Sequence, residues 1–363
     1  MLDRKRPERV LRTLRAGLCA CLAIALAGCA APRNAPASDA PQAEGGAATG
    51  GSAAADREVR SLRDLARPRA DGSAGPSADA QARSPRGRVY RAMLPGHSPE
   101  LEARLAEARR ELAEHPGDAE RVVWVGRRLG YLWRMREAID VYTRGIDDHP
   151  RYAPLWRHRG HRFISIRRFD DAVRDLERAA QLIRGQRDET EPDGAPNELN
   201  IPLTTTAFNV WYHLALAHYL KGDHEAALDA WLEALKHSYR HDDNLVATTY
   251  WLYLTLRKLG RHEAAEARLS RISPGMTIVE NHAYHDLLLL FKGLRTVEQL
   301  RNQHATGTNA ATVGYGVGMW QLFQDQREKA EAAFEQVISG DDWPAFGFIA
   351  AEVELARLTP PPR

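Results

Sequence analysis

The chain has 363 residues, with 50 Lys and Arg against 48 Asp and Glu and a formal net charge of +2. That near-balance excludes the broad basic surface on which bulk electrostatic binding to nucleic acid depends. The three cysteines, Cys19, Cys21 and Cys29, all lie at the N-terminal end, so the rest of the chain has neither a disulfide framework nor a thiolate metal site.

Residues 1–15 carry Arg4, Lys5, Arg6, Arg9, Arg12 and Arg15 against Asp3 and Glu8, and an apolar run follows from Ala16 to Ala27. A basic end, a short apolar core and small residues before a break describe a secretory signal. The run is well short of the roughly 20 residues of a permanent membrane-spanning helix. Leu26-Ala27-Gly28-Cys29 resembles the bacterial lipobox. That resemblance implies removal of residues 1–28 and acylation of Cys29, with two or three chains of the palmitate type giving a stable membrane anchor. Ala30 follows the cysteine, where Asp would direct retention at the inner membrane. By resemblance to Gram-negative sorting, this implies an outer-membrane lipoprotein facing the periplasm. Removing the six basic and two acidic residues of the signal from 50 and 48 leaves 44 and 46. The slight basic excess therefore belongs to the signal alone.

From Cys29 to residue 97 the composition is dominated by Ala, Pro, Gly, Ser and Arg, as in "APASDAPQAEGGAATGGSAAAD". Such a stretch cannot bury enough apolar surface to offset its ordering entropy, and it reads as a disordered tether. A short helix around Glu58 to Ala66 is compatible with the spacing of Val59, Leu62 and Leu65. At Ser98-Pro99-Glu100 the pattern changes to a helix start, with a cap, a first-turn proline and an acid near the dipole.

The segment 98–358 then repeats. "HPGDAERVVW" begins at His115 and "HPRYAPLWRH" at His149, placing Pro116 and Pro150 34 residues apart. Taking Ala119 as position 1 puts Gly126 at position 8, Ala138 at 20, Tyr142 at 24 and Gly145 at 27. The next unit gives Trp156, Gly160, Ala172 and Ala179 in the same register. Later units supply Ala215, Ala227, Trp231 and Ala234, then Gly260 and Ala265, then Gly318, Ala330 and Phe334. Small residues at 8, 20 and 27 let the two helices of a hairpin approach, and bulk at 4 and 24 fills the space between them. Period and register resemble the tetratricopeptide (TPR) repeat. The resemblance implies an all-α, right-handed superhelical solenoid of antiparallel helix pairs. Residues 279–303 form a degenerate unit, Trp343 to Leu358 a closing helix, and 359–363 a tail. Between the second and third units stands an insertion, "RGQRDETEPDGAPNELNIPLTTT", Arg184 to Thr206; it is either a solvated loop or a lid on the concave groove.

Enzyme-like strings dissolve on inspection. "HEAAL" at His224 and "HEAAE" at His262 lack the second histidine that zinc-protease chemistry requires. "GYGVG", Gly314 to Gly318, has no preceding strand to make it a dinucleotide site; helix packing explains Gly318, while Gly314 and Gly316 are surplus. His282 and His285 share a helix face but have no third metal ligand. No catalytic set stands out, and no cofactor is implied.

In TPR folds, helix A lines the concave groove through positions 2, 5, 9 and 12. Position 5 supplies Tyr212, Tyr250 and Tyr315, with Tyr284 in the degenerate unit; position 2 supplies Asn209 and Asn281. Arg157 at position 5, with Arg127 and His161 at position 9, makes the first half basic. The expectation is a groove with a tyrosine ladder, binding a periplasmic or envelope protein or peptide through aromatic contacts and hydrogen bonds. The competing expectation is a small-molecule or glycan site, or a cryptic enzyme. Its pocket would be closed by the 184–206 insertion, lined by Tyr212, Tyr250, Tyr284 and His285, and fed by Asp193 and Asn209.

Overall fold

The computed structural model describes residues 80–94 and 96–359. The signal peptide, Cys29, most of the tether and residues 360–363 lie outside the described residues. Within them the chain is an all-α, TPR-like solenoid, preceded by one small hairpin.

The hairpin moves the expected end of the tether. β1 (Ala80–Arg83) pairs antiparallel with β2 (Val89–Arg91). The turn between them closes through Arg88 N to Ser84 Oγ at 2.9 Å, with Gly87 at φ +91°. A segment so poor in large apolar residues is ordered through few but strong contacts. Tyr90 is buried and stacks on Trp343 at 5.4 Å, and Trp343 Nε1 donates to Arg91 O at 3.1 Å. Arg136 Nε donates to Ala80 O at 2.8 Å. The folded part thus begins by residue 80, and not at 98.

The helices follow in pairs. After α1 (Pro99–Glu114) come α2 (Ala119–Tyr131) with α3 (Met135–Asp148), α4 (Ala153–Ser165) with α5 (Phe169–Ile183), and α6 (Thr206–Lys221) with α7 (His224–Lys236). Then come α8 (Asp242–Lys258) with α9 (His262–Leu269), the degenerate α10 (His282–Phe291) with α11 (Val297–Gln303), α12 (Gly307–Leu322) with α13 (Arg327–Ile338), and α14 (Phe346–Leu358). Local chemistry sets their ends. Asp118 caps α2 by accepting from Glu120 N at 2.9 Å, Thr296 and Gln299 form a capping box on α11, and left-handed Gly222 stops α6. α1 begins at Pro99, although the Ser98 side chain makes no capping bond.

Close approach within each pair rests on the small residues of the repeat. A Cβ on Gly126 would meet Tyr142 at 2.3 Å, one on Gly160 would meet Leu176 at 2.7 Å, and one on Gly318 would meet Phe334 at 2.3 Å. The two surplus glycines are packing residues as well: a Cβ on Gly314 would strike Val337 of α13 at 2.4 Å, and one on Gly316 would strike Leu287 of α10 at 2.5 Å.

The superhelix is filled. α14 is apolar on most of its circumference and buried along most of its length, as expected of an interior helix. It does more than cover the last repeat, because it lies against the first helices of earlier pairs. Phe346 packs on His161 of α4 and His213 of α6, Arg357 Nη2 donates to Leu220 O of α6 at 2.9 Å, and Lys258 of α8 pairs with Glu354 at 2.9 Å. Arg167, in the α4–α5 turn, pairs with Glu352 at 2.6 Å, and Glu352 also takes the Tyr90 hydroxyl. The hairpin, the second pair and the last helix therefore close on one another.

Candidate functional site

The insertion after α5 is a tied loop that crosses the face made by the first helices of successive pairs. Its ends meet in a short bridge, with Glu191 N donating to Thr204 O at 3.0 Å and Thr206 N to Glu189 O at 2.9 Å. Between these ends it forms an Ω-type strap. Arg127 Nη1 donates to Pro192 O at 2.8 Å and Arg128 Nη1 to Gly194 O at 2.9 Å, both from α2. Asn244 of α8 donates to Leu203 O at 2.8 Å, and Asn197 donates to Glu280, just before α10, at 2.8 Å. Of the two sequence expectations for this segment, the lid describes its position.

Glu191 fixes the strap to the basic half of the face. Its carboxylate lies 3.3 Å from Arg157 Nη1 and 3.9 Å from Arg127 Nη1, and it accepts from Asn209 Nδ2 at 2.8 Å. Burial alone would raise its pKa, but Arg157, His158 and Arg127 outweigh that and hold it well below the usual carboxylate range. His158 is pushed down to about 3, first by burial and then by Arg157, so it is neutral. A guanidinium can only donate, so Nδ1 accepts from Arg157 Nη1 at 2.7 Å, and Nε2 lies 3.3 Å from Glu191 Oε1.

Two adjoining cavities share Thr204 and Asn209; the strap lines the first, and only its last residues reach the second. The first, about 170 Å³, is lined by the predicted Arg127, Arg157, His161 and Asn209, and also by Tyr131, Tyr142, Arg162, Asp193 and Glu280. The second, about 260 Å³, is lined by the predicted Asn209, Tyr212, Asn281 and Tyr284, together with His213 and Phe346. Its polar lining is uncharged: His213 Nδ1 donates to Asn209 O at 2.6 Å, and burial holds the ring neutral.

Two rungs of the expected ladder are core residues. Tyr250 and Tyr315 are fully buried. Tyr250 packs on Trp251, Tyr284 and Phe291, while the Tyr315 hydroxyl meets that of Tyr219 at 2.6 Å and its ring lies on Trp251 and Phe334. The reason is packing between α6, α8, α10 and α12: their rings share one core around Tyr250 and Tyr315, while Tyr212 and Tyr284, at the same repeat position, reach the second cavity.

Of the trio Asp193, Asn209 and His285, the first two meet at the smaller cavity. His285 is elsewhere, with Nε2 bonded to Ser273 O at 2.9 Å, and His282 is on the surface, so the pair does not converge on a metal. Among the described residues no group of three or more His, Cys, Asp or Glu could hold one. Sequence reasoning missed His158, Arg162, Glu191 and Glu280. Arg162 was within reach, since it stands one place beyond groove position 9; Glu191 had no local signal in an acidic stretch.

A third depression adjoins the first cavity and shares Arg127, His158, Glu191 and Pro192 with it. It is a cleft of about 1260 Å³ along α2, α4, α5, α6 and α7, lined by Pro154, Ile183, Trp211 and Leu232 and by strap residues Arg187 and Glu189. Leu232 is 43% exposed there.

No family model matches the sequence, and no curated protein matches it. Among solved structures, the fold is similar to YrrB, a TPR protein with an unusual peptide-binding site, at 13% identity and a TM-score of 0.37, covering 65% of this chain and 92% of that one. It is also similar to MamA, at 16% identity and a TM-score of 0.33, covering 48% and 95%. A chain of the Naa15/Naa10 complex bound to HypK-THB is similar at 15% identity and a TM-score of 0.32, covering 66% of this chain and 34% of that one.

Proposed function

We propose that this TPR-like protein is a non-catalytic scaffold, held at the outer membrane through acylated Cys29 and facing the periplasm, that captures a segment of an envelope protein. The observation that carries the reading is the outer cleft. The strap and α14 fill the concave face, while the 1260 Å³ cleft offers segment-sized space with an indole floor and an exposed leucine wall. Aromatic and aliphatic anchors in a partly closed depression, rimmed by mixed charge, suit a protein segment. Anchoring in the membrane raises the effective concentration of partners attached to the same surface.

The test is crosslinking and pull-down from intact cells with wild type and Leu232→Glu, with circular dichroism to verify folding. Leu232 is largely free of the core, so the variant should fold and lose the specific partner. Recovery of the same partner set from both proteins would remove the cleft from the reading. A second reading, capture of a small polar ligand, is favoured by the polar cavity that the strap lines.

A further inference from the structure

The 170 Å³ cavity is divided by charge. On the helix side stand Arg127, Arg157 and Arg162; on the strap side and beside α10 stand Asp193 and Glu280. Glu191 faces Arg127 and Arg157 but leaves the cluster incompletely matched. Arg157, 7% exposed, keeps a buried Nε with no partner. Among the described residues Arg162 has no carboxylate partner: its guanidinium bonds Met135 Sδ at 3.5 Å and lies over Gly130. The acids are equally unmatched. Among the described residues no ion pair joins either to an arginine; Asp193 accepts from Ala195 N at 3.0 Å, and Glu280 from Asn197 at 2.8 Å. Partial burial raises the Glu280 pKa, against the Asn197 hydrogen bond and with help from the Asp193 and Asp243 charges.

Arginines paired only in part with Glu191, facing two carboxylates paired with none of them, leave a standing dipole across the cavity. The arginines carry a desolvation cost that Glu191 offsets only in part, while Asp193 and Glu280 stand at the more exposed end. A guest with charges of opposite order would relieve both ends at once, and charge-assisted hydrogen bonds to guanidinium are the strong kind. The volume equals that of about six waters, which sets the guest at amino-acid or short dipeptide size.

We infer that the strap-roofed cavity is a binding site for a small zwitterion, an amino acid or dipeptide, with its carboxylate on Arg157 and Arg162 and its ammonium toward Asp193 and Glu280. The inference rests on the second, small-ligand reading. Tyr142 adds a hydroxyl donor at the carboxylate end, and burial keeps that phenol protonated. The strap supplies both the roof and an acid, so opening it would release the guest.

The test is isothermal titration calorimetry on the whole protein with free alanine and alanyl-alanine at millimolar concentration. Two blocked dipeptides accompany them: N-acetyl-alanyl-alanine, which lacks the ammonium, and alanyl-alaninamide, which lacks the carboxylate. The expected result is binding of a free probe, with at least about a tenfold loss for each blocked form. Asp193→Asn with Glu280→Gln keeps an acceptor oxygen for Ala195 N and Asn197, so the strap should stay tied; the variant should weaken the free dipeptide and leave the N-acetyl form unchanged. Equal binding of blocked and free forms would overturn the zwitterion while leaving a small-ligand site standing. Absence of heat with every probe would overturn both.

Discussion

Replacing Glu352 by Gln probes the ion pair that ties the second helix pair and the N-terminal hairpin to the last helix. Its carboxylate takes Arg167 Nε and Nη2 at 2.9 and 2.6 Å, and the two side chains are 4% and 2% exposed. The amide keeps the shape and one acceptor oxygen, but it strands a guanidinium charge in the interior. Breaking such a pair costs about 3–5 kcal/mol. Arg167 keeps Trp343 O at 2.9 Å and lies 4.9 and 5.5 Å from the centres of the Tyr90 and Trp343 rings. These contacts place the expected loss near the lower bound, about 3 kcal/mol. For a folded unit of this size, that lowers the melting midpoint by roughly 6–10 °C. Urea titration followed by circular dichroism measures the loss directly, and protease cleavage around residues 80–94 should rise with it. The double change Arg167→Met, Glu352→Leu removes both charges and should recover most of the stability. A single-variant loss below about 1 kcal/mol, or a double variant no better than the single, would refute the argument.

Three further outcomes are expected. Tyr250→Phe should be neutral or stabilising, since its buried hydroxyl has no hydrogen-bond partner among the described residues, whereas Tyr250→Ala should cost about 3–5 kcal/mol as a core cavity; loss of stability in the Phe variant would contradict the orphaned hydroxyl. Acid should destabilise the fold. His158 titrates near 3, and burial holds His161 and His213 well below 6.5, so from pH 6.5 downward the unfolded chain binds more protons and stability falls with pH. The slope approaches about 1.4 kcal/mol per pH unit for each histidine, and a flat denaturation midpoint between about pH 6.5 and 5 would show that they are charged or exposed. Finally, Cys29→Ser should move the protein from the membrane fraction to the soluble one; continued sedimentation with membranes would end the lipobox reading.

The repeat register was legible because it is a local steric demand. Gly126, Gly160 and Gly318 each face a bulky residue of their own unit across a gap with no room for a methyl group. The position-5 tyrosines were legible as inward-facing but not as groove or core, because that choice depends on how the helices of different repeats pack together. Arg127, Arg157, His161 and Asn209 do converge on one cavity. What draws them together is Glu191, 34 residues beyond Arg157, and neither residue marks the other in the sequence. The hairpin was missed for a related reason: "SPRG" has turn chemistry, but its only large buried ring, Tyr90, meets partners at residues 343 and 352. The all-round apolar character of "FGFIAAEVELARL" was visible, yet it reads equally as a terminal cap.

The contact between Tyr90 and Glu352 spans 262 positions. An open solenoid can add or lose terminal units and fold outward from any of them, because each unit touches only its neighbours. Here the hairpin meets Arg136 early, but the Tyr90 ring and hydroxyl have no Trp343 or Glu352 to pack on until the end of the chain has been made. During N-to-C synthesis those contacts must wait, and completion of the fold carries a loop-closure cost that neighbour-only repeats escape. Chains shortened at either end should therefore lose cooperativity throughout, with shallower denaturant slopes as well as lower midpoints.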